Sequence, residues 1–203
     1  MAGTILLASR NPKKLLELRR ILAMRLPHAE VIGLGDVDAY PETPETGRTF
    51  ADNALLKARE GHRRTGLPTV ADDSGLTVDA LNGMPGIFSA RWSGRHGDDE
   101  ANLRLVLGQV ADVPDERLTA AFVAAVAYVD DAGELTTEGR MPGRLVREPR
   151  GSNGFGYDPI FIPDGYEVTS AELDSASKDA ISHRGKALRG LADRLAAERA
   201  QYG

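Results

Sequence analysis

Two adjacent carboxylates, Asp72 and Asp73, interrupt an apolar stretch of the 203-residue chain. The segment Thr69-Val70-Ala71 before them and Ser74-Gly75 after them predict a strand end that opens into a tight turn. Neighbouring aspartates repel each other, and burying either one is costly unless a cation compensates its charge. Oxygen ligands of this kind suit Mg²⁺, and one carboxylate could then orient or deprotonate a water molecule. The alternative is an Asx turn in which both side chains accept hydrogen bonds from backbone N–H groups.

The first predicted strand covers residues 4–8 and is followed directly by the polar and cationic segment Ser9-Arg10-Asn11-Pro12-Lys13-Lys14. Leucines then recur at helical spacing over residues 15–26. Polar groups therefore stand where a strand ends and a helix begins, and the free N–H groups of a helix N-terminus suit a phosphate. A capped turn with two solvated lysines explains the same residues.

A second helix is predicted after an acidic, proline-bearing segment that covers residues 36–47. Thr49 is its predicted N-cap, and an apolar stripe over residues 50–58 gives it a face for the core. Asn53 and Lys57 lie one turn apart on a different face. That pair indicates either functional side chains or a solvated helix surface.

Glycines and aromatic residues stand close together in the segment Gly151-Ser152-Asn153-Gly154-Phe155-Gly156-Tyr157-Asp158-Pro159. Glycines let the backbone approach a flat ligand while an aromatic ring stacks on it. A tight turn with aromatic side chains in the core is the alternative. The segment therefore predicts either a nucleotide-binding loop or a structural turn.

The other predicted elements continue the alternation of strands and helices. They are strands over residues 30–34 and 159–163, a helix over residues 98–110 and a C-terminal amphipathic helix through Leu188, Leu191 and Leu195. Residues 118–129 and 134–140 predict a long hairpin, although the alanines of its first half make a helix the alternative. Strand–helix alternation with one hairpin predicts an α/β fold.

Amino-acid composition indicates which partners and which cellular compartment suit the protein. The formal charge is −5, from 25 Lys and Arg against 30 Asp and Glu, so no global basic field favours nucleic acid. Cysteine is absent, which excludes disulfides and thiol catalysis and fits a reducing cytoplasm. The N-terminal segment lacks the cationic region of a signal peptide, and the longest apolar run, residues 120–129, is about half as long as a membrane span. We therefore expect a soluble, cytoplasmic protein that binds neither nucleic acid nor a membrane.

Five motifs together resemble the inosine triphosphate pyrophosphatase family, the hydrolases of non-standard purine nucleotides. The longest motif is ADDSGLTVDALNGMPGIFSARWSG, and the others are SRNPKK, ETGRTFADNALLKA, GFGYDP and SHRGKAL. They occur in family order between Ile5 and Leu188, over nearly the whole chain. Three positions depart from the family pattern: Arg10 and Lys13 replace glycines, and Asp52 replaces a glutamate.

The resemblance implies a fold, a reaction and a set of residue roles. The fold is α/β, with a long twisted mixed sheet and flanking helices in a single domain over residues 1–203, whose two lobes enclose a nucleotide cleft. The reaction is the Mg²⁺-dependent hydrolysis of ITP, dITP or XTP to the monophosphate and pyrophosphate. Asp73 is the implied general base, and the implied magnesium ligands are Glu45, Asp72 and Asp73. The implied substrate contacts are Ser9, Arg10, Asn11, Lys14, Lys57, Ser74, Phe155, Gly156, Tyr157, Asp158, Lys178, His183 and Arg184.

Hydrogen-bond chemistry predicts which purines such a site prefers. The Arg184 side chain and the backbone N–H groups beside it can only donate. A purine with an oxygen at position 6 completes such a site, whereas the amino group of adenine leaves donors unpaired. Guanine also carries this oxygen, so rejection of GTP must depend on its 2-amino group. We therefore expect ITP and XTP to be preferred over GTP, and GTP to be used at least as well as ATP.

The resemblance also implies a homodimer. The apolar stretch of residues 83–92 is the candidate contact surface, and its burial within one subunit is the alternative.

Two other functions fit parts of the pattern. A haloacid-dehalogenase-type phosphatase uses an aspartate nucleophile, but its two aspartates are separated by one residue and follow the first strand. A nucleotide-binding sensor module without catalysis would have no need for the cluster of Glu45, Asp72 and Asp73.

Overall fold

The structure is a computed structural model that describes residues 3–202, with side chains described as far as residue 198. Residues 1, 2 and 203 of the predicted domain lie outside this part. Its strands are β1 (Thr4–Leu7), β2 (Glu30–Gly33), β3 (Thr69–Val78), β4 (Thr119–Asp130), β5 (Gly133–Leu145) and β6 (Phe161–Pro163). Its helices are α1 (Pro12–Arg25), α2 (Phe50–Thr65), α3 (Asp99–Gln109), α4 (Ser175–Ile181) and α5 (His183–Tyr202).

The strands form one mixed sheet in the order β2-β1-β3-β4-β5-β6. β1 is parallel to β2, with Thr4 opposite Glu30, and parallel to β3, with Leu6 opposite Thr69. Parallel neighbours need a crossover connection, which α1 provides between β1 and β2. β5 and β6 are antiparallel. The predicted α/β fold with a mixed sheet and flanking helices is confirmed.

β3 corrects one prediction, because the strand does not end at the aspartate pair. It continues without a break from Thr69 to Val78. Successive side chains of a strand point to opposite faces, so Asp72 and Asp73 diverge and contact different partners. Gly75 is needed because Ser89 packs closely against it and not because the chain turns there: a Cβ atom at this position would lie 2.3 Å from the Ser89 hydroxyl oxygen. The predicted tight turn and the Asx-turn alternative are both wrong.

The alanine-rich segment forms β4, a central strand between β3 and β5. Ala121, Ala124, Ala125 and Ala127 are all fully buried, so side chains on both faces of the strand are covered. Strands that are buried on both faces do not show an apolar–polar alternation, which is why the pattern left a helix open. β4 and β5 are neighbours in the sheet and are joined through residues 131 and 132. The predicted hairpin is confirmed, and the helix alternative is wrong.

The described chain divides into two compact units, each with its own core. Unit 1 comprises residues up to Asp73, residues 124–139 and residues from Arg184 onward. Leu18 and Leu22 of α1 and Leu191 of α5 are fully buried in its core. The leucine spacing that predicts these two helices therefore marks the faces that they bury.

Unit 2 comprises residues 74–123 and 140–183. Val106 of α3 packs in its core with Phe122 and Phe161, whose rings meet edge to face with centroids 4.8 Å apart. The Asp98 carboxylate caps α3 by accepting a hydrogen bond from the Ala101 N–H at 3.2 Å. The helix predicted over residues 98–110 is therefore confirmed. Within the described residues, no helix combines the length and the apolar character needed to cross a membrane.

Candidate active site

Asp72 is almost fully buried on β3 and lies between two cations of unit 1. Lys14 of α1 donates from Nζ to both carboxylate oxygens, at 2.9 and 2.8 Å, and Arg184 of α5 donates from Nε at 3.1 Å. Burial alone would raise the pKa of Asp72, but the charges of Lys14 and Arg184 outweigh it and hold the pKa well below its ordinary value. Asp72 is therefore ionised at neutral pH and fixes the positions of both cations.

Asp73 has a different environment on the opposite face of β3. The Asn53 amide donates from Nδ2 to Oδ2 of Asp73 at 2.9 Å, and Lys57 Nζ lies 3.6 Å from Oδ1. Burial raises the pKa of Asp73 above its ordinary value; Lys57 and Asn53 oppose this increase, and the charges of Glu45 and Asp72 add to it. Two neighbouring aspartates therefore differ in proton affinity, and Asp73 is the one better suited to accept a proton.

Lys57 of α2 lies between two carboxylates. Its Nζ is 3.0 Å from Glu45 Oε1 and 3.6 Å from Asp73 Oδ1. Burial lowers the pKa of Lys57, but the charges of Asp73 and Glu45 outweigh it and raise the pKa above its ordinary value. Lys57 is therefore charged at neutral pH, and its ammonium group compensates two carboxylates at once.

The first turn of α2 holds a reciprocal pair of hydrogen bonds. The Thr49 hydroxyl accepts from the Asp52 N–H, and the Asp52 carboxylate accepts from the Thr49 N–H, both at 3.1 Å. This is a capping box, which satisfies two N–H groups that a helix start otherwise leaves unpaired. The predicted N-cap is confirmed, and the aspartate at position 52 takes the part that glutamate usually has.

Asn53 belongs to this cluster although it is absent from the predicted site residues. It is fully buried, donates to Asp73, and accepts at Oδ1 from the Gly47 N–H at 2.8 Å. Its spacing of one helical turn from Lys57 is the signal in the sequence that places both side chains on one face.

The loop between β1 and α1 is a capped turn, as one interpretation of the sequence predicts. Asn11 Oδ1 accepts from the N–H groups of Lys13 and Lys14 at 2.9 and 3.4 Å, and Ser9 Oγ accepts from the Asn11 N–H at 3.2 Å. The two lysines differ, however. Lys13 is exposed, whereas Lys14 binds Asp72 and is therefore not a solvated side chain.

Arg10, which replaces a glycine of the family pattern, is an exposed residue of this loop. It lines a cavity of about 390 Å³ in unit 1. The other lining residues are Leu34, Gly35, Val37, Asp38, Ala39 and Tyr40. Arg10 therefore adds a cationic side chain to this loop at a position where the family pattern has none.

The predicted magnesium ligands are not gathered into one group. Among the described residues, no three acidic or histidine side chains lie close enough together to hold a metal ion. Glu45 and Asp73 share the Lys57 ammonium, and both Asp72 oxygens are bound by cationic side chains. Glu45 and Asp73 supply the hard oxygen atoms that Mg²⁺ prefers, and an ion there would displace one ammonium group, whereas at Asp72 it would displace two cations. This pair therefore fits a divalent cation better than Asp72 does.

In unit 2, the glycine-rich loop exposes one ring and buries a carboxylate. Phe155 is 68% exposed, whereas Asp158 is 3% exposed and accepts from the Phe155 N–H at 2.9 Å. Lys178 of α4 donates to Asp158, and its Nζ lies 5.7 Å from the centre of the Phe155 ring. Gly154 has φ +81°, and a Cβ atom there would lie 2.1 Å from Asp158 Oδ2, so the loop requires glycine at this position. Phe155, Asp158 and Lys178 are thus brought together.

The remaining predicted contacts of unit 2 are held by the protein itself. Tyr157 is buried in the core, and its hydroxyl donates to the Ser89 carbonyl oxygen at 2.8 Å. The Gly156 N–H donates to Asp99 Oδ2 at 2.8 Å. The His183 ring stacks on Phe122 with centroids 5.2 Å apart, and Ser74 is a half-buried residue of β3. Of the two aromatic residues in the loop, Tyr157 therefore has a core position and Phe155 an exposed one.

Comparison with known proteins adds sequence relatives over almost the full length. The model of the Ham1 family matches residues 5–194. A dITP/XTP pyrophosphatase of Nocardia farcinica is 60% identical over 195 residues, which cover 95% of each chain. A dITP/XTP pyrophosphatase of Mycobacterium tuberculosis is 60% identical over 185 residues, which cover 91% of each chain.

Solved structures agree with these sequence matches. A nucleoside-triphosphatase or dITP/XTP pyrophosphatase of Mycobacterium abscessus superposes with a TM-score of 0.80 at 60% identity, over 93% of this chain and 98% of that one. The Ham1 protein of Staphylococcus aureus superposes with a TM-score of 0.89 at 35% identity, over 96% and 99% of the two chains.

Proposed function

Because the chain belongs to the Ham1 family, the family that its five motifs resemble, we propose that it hydrolyses non-canonical purine nucleoside triphosphates such as ITP, dITP and XTP. The products are the nucleoside monophosphate and pyrophosphate. The relatives named as dITP/XTP pyrophosphatases support this reaction, and they favour it over a phosphatase or a sensor module.

The observation that carries the proposal is the arrangement of Asp73 in unit 1. Hydrolysis forms a bond between a water oxygen and the α-phosphorus and breaks the bond from that phosphorus to the oxygen leading to the β-phosphate. The attacking water must lose a proton, and Asp73 is the proposed acceptor. Its raised pKa gives it a higher proton affinity than an exposed aspartate, while Lys57 and Asn53 favour its ionised form.

The cations of unit 1 are the proposed triphosphate contacts. A triphosphate carries several negative charges, and its cleavage is catalysed chiefly by positioning and by compensation of charge. Lys14 binds Asp72 and Lys57 binds Glu45, so the carboxylates hold both ammonium groups in defined positions. These ammonium groups would attract the triphosphate, and the carboxylates would attract a cation. Arg10, Ser9 and Asn11 are the proposed contacts from the loop before α1.

We propose Mg²⁺ as the cofactor, held by the carboxylates of Glu45 and Asp73. The ion would add positive charge to the bound polyphosphate, as divalent ions do in phosphoryl transfer. Asp72 stays in the proposed ligand set, but its oxygens become available only when Lys14 and Arg184 turn away. Polyphosphate oxygens could attract Lys14, and the purine 6-oxygen could attract Arg184, which would free the Asp72 carboxylate.

For the base, we propose Phe155 as the stacking ring and Lys178 with Asp158 as the polar contacts. Stacking favours every flat base equally, so it adds affinity without selectivity. Donors from His183 and Arg184 would favour an oxygen at purine position 6. The other predicted contacts, Ser74, Gly156 and Tyr157, and the two lobes around a cleft stay predictions.

A panel of nucleotides tests the proposed function. Purified protein is incubated with ITP, dITP, XTP, GTP or ATP, with Mg²⁺ or with excess chelator, and pyrophosphate and orthophosphate are measured separately. The proposal expects Mg²⁺-dependent release of pyrophosphate, fastest from ITP, dITP and XTP. Release of orthophosphate would indicate a phosphatase, and binding without any product would indicate a sensor module.

We also propose a homodimer and a cytoplasmic location. Met84 and Phe88, within the candidate surface of residues 83–92, are 40% and 41% exposed, which is consistent with a contact surface. Light scattering at micromolar concentration tests the dimer, and a mass equal to the single-chain 21.8 kDa would refute it.

A further inference from the structure

We infer that Asn53 is a positioning residue that couples the segment bearing Glu45 to the carboxylate of Asp73. The inference rests on the function proposed above, in which these two carboxylates act. Asn53 is fully buried on α2, and its amide oxygen and nitrogen bind two different segments of unit 1. It acts through Asp73 and does not itself contact the reacting atoms.

Hydrogen-bond chemistry fixes the orientation of the Asn53 amide. The Gly47 backbone N–H can only donate, so the amide atom 2.8 Å from it is the oxygen. The amide nitrogen therefore faces Asp73 and donates to Oδ2 at 2.9 Å. The Asn53 amide nitrogen can only donate, so it binds Asp73 best when the carboxylate is ionised and Oδ2 accepts the hydrogen bond. The amide therefore stabilises ionised Asp73 in one orientation.

That orientation determines which oxygen of Asp73 faces the rest of the cluster. With Oδ2 bound to Asn53, Oδ1 is the oxygen that lies 3.6 Å from Lys57. Without the amide, nothing else in the contacts described for Asp73 holds Oδ2, and the carboxylate could rotate toward Lys57. The proposed base would then lose its alignment, and misplacement by about 1 Å can cost about a hundredfold in rate.

Gly47 provides the second half of the coupling. A Cβ atom at this position would lie 2.5 Å from the Asp52 Cβ and 2.7 Å from Asn53 Oδ1, so a larger residue would push the segment away from α2. Glu45 lies two residues before Gly47 in the same segment. The bond from Gly47 to Asn53 therefore holds the Glu45 segment at the first turn of α2, close to Asp73.

Three variants test the coupling by steady-state release of pyrophosphate from ITP with Mg²⁺. Asn53→Ala removes both bonds, and Asn53→Asp retains an acceptor for Gly47 but places a second carboxylate against Asp73. We expect each to lower kcat about a hundredfold while KM changes by less than about threefold. Asp52→Ala is the matched control: it removes the capping box and the 3.1 Å bond from the Arg48 N–H to Asp52 Oδ2 in the same turn but leaves both Asn53 bonds. Its kcat should stay within about twofold of the wild type if the Asn53 bonds carry the coupling.

Amide hydrogen exchange at Gly47 gives a readout that does not depend on activity. We expect fast exchange in Asn53→Ala, and protection in the wild type and in Asn53→Asp. If the wild type releases no pyrophosphate, the proposed function fails, while exchange still tests the coupling. Should Asn53→Ala not fold, Gly47→Ala must lower kcat instead. Wild-type kcat in Asn53→Ala, an equal loss in Asp52→Ala, or unchanged exchange at Gly47 would overturn the inference.

Discussion

Replacing Asp72 by asparagine should destabilise the protein strongly, because it leaves two cations facing an uncharged group. The Asp72 side chain is 4% exposed, and those of Lys14 and Arg184 are 23% and 15% exposed. Removing one partner of a buried ion pair costs about 3–5 kcal/mol, and the partial hydration of both cations here places the expected loss near the lower limit, about 3 kcal/mol. For a chain of this size, that loss corresponds to a fall of about 6–12 °C in Tm.

Urea unfolding of the wild type and of Asp72→Asn, followed by circular dichroism in the presence of chelator, measures this loss. Asp193→Asn is the matched control, since Asp193 pairs with Arg25 at 2.6 Å but both side chains are more than half exposed. Such an exposed pair contributes at most about 1 kcal/mol. An Asp72→Asn protein that is no less stable than Asp193→Asn would refute the reasoning.

The difference in stability between the wild type and Asp72→Asn should depend on pH. The folded-state pKa of Asp72 is depressed, so its ionised form stabilises the native state above the unfolded-state pKa of about 4. This contribution is lost as the pH falls through the folded-state pKa. The difference in stability between the wild type and Asp72→Asn should therefore be full at neutral pH and should shrink below about pH 4. A difference that grew in acid would contradict the assigned sign.

Further predictions concern the other charges and the glycine-rich loop. Lys57→Met leaves Glu45 and Asp73 without their shared cation, so kcat for ITP should fall by about a hundredfold or more, and near-normal turnover would count against the role of Lys57. Excess chelator should abolish pyrophosphate release, and Ca²⁺ should support it poorly, because it is larger and less demanding in geometry than Mg²⁺; full activity in chelator would exclude a metal requirement. Gly154→Ala brings a Cβ atom against Asp158 at a positive φ, so KM for ITP should rise while the circular dichroism spectrum stays native; an unchanged KM would separate this loop from the base.

Local patterns predicted α1, α2, α3, α5 and the hairpin, because the side chains that cause these elements lie within a few residues of one another; α4 was not predicted. The leucines of α1 mark its buried face, and Thr49 begins α2 through a capping box that depends only on Asp52, three residues later. The turn between β4 and β5 consists only of Asp131 and Ala132, and Gly133 follows it. Each of these signals is a property of neighbouring side chains, so sequence alone could reveal it.

The aspartate pair shows what a local pattern could not reveal. Two carboxylates followed by serine and glycine are typical of a turn, yet β3 continues through them. The strand persists because Lys14 and Arg184 compensate one aspartate and Lys57 the other, and these cations come from α1, α2 and α5. All three cations lie at least 15 residues from the aspartates along the chain, so the residues next to the aspartates do not reveal them.

The two aromatic residues of the glycine-rich loop give a second case. Phe155 and Tyr157 are separated by one glycine, and both suit either a ligand or a core. The hydroxyl of Tyr157 donates a hydrogen bond to the Ser89 carbonyl oxygen, so this ring can be buried without leaving its polar group unpaired. Which ring is buried depends on a partner 68 residues away, which the sequence of the loop does not specify.

The central claim is that Asp73 is the base in a pyrophosphate-releasing hydrolysis, and Asp73→Asn tests it most directly. Asparagine is nearly isosteric and its amide oxygen can accept from Asn53, so the fold should persist by circular dichroism. With ITP and Mg²⁺, we expect kcat to fall by about 10²–10⁴-fold, the range that general base catalysis contributes. Near-normal release of pyrophosphate by a folded Asp73→Asn protein would contradict the account.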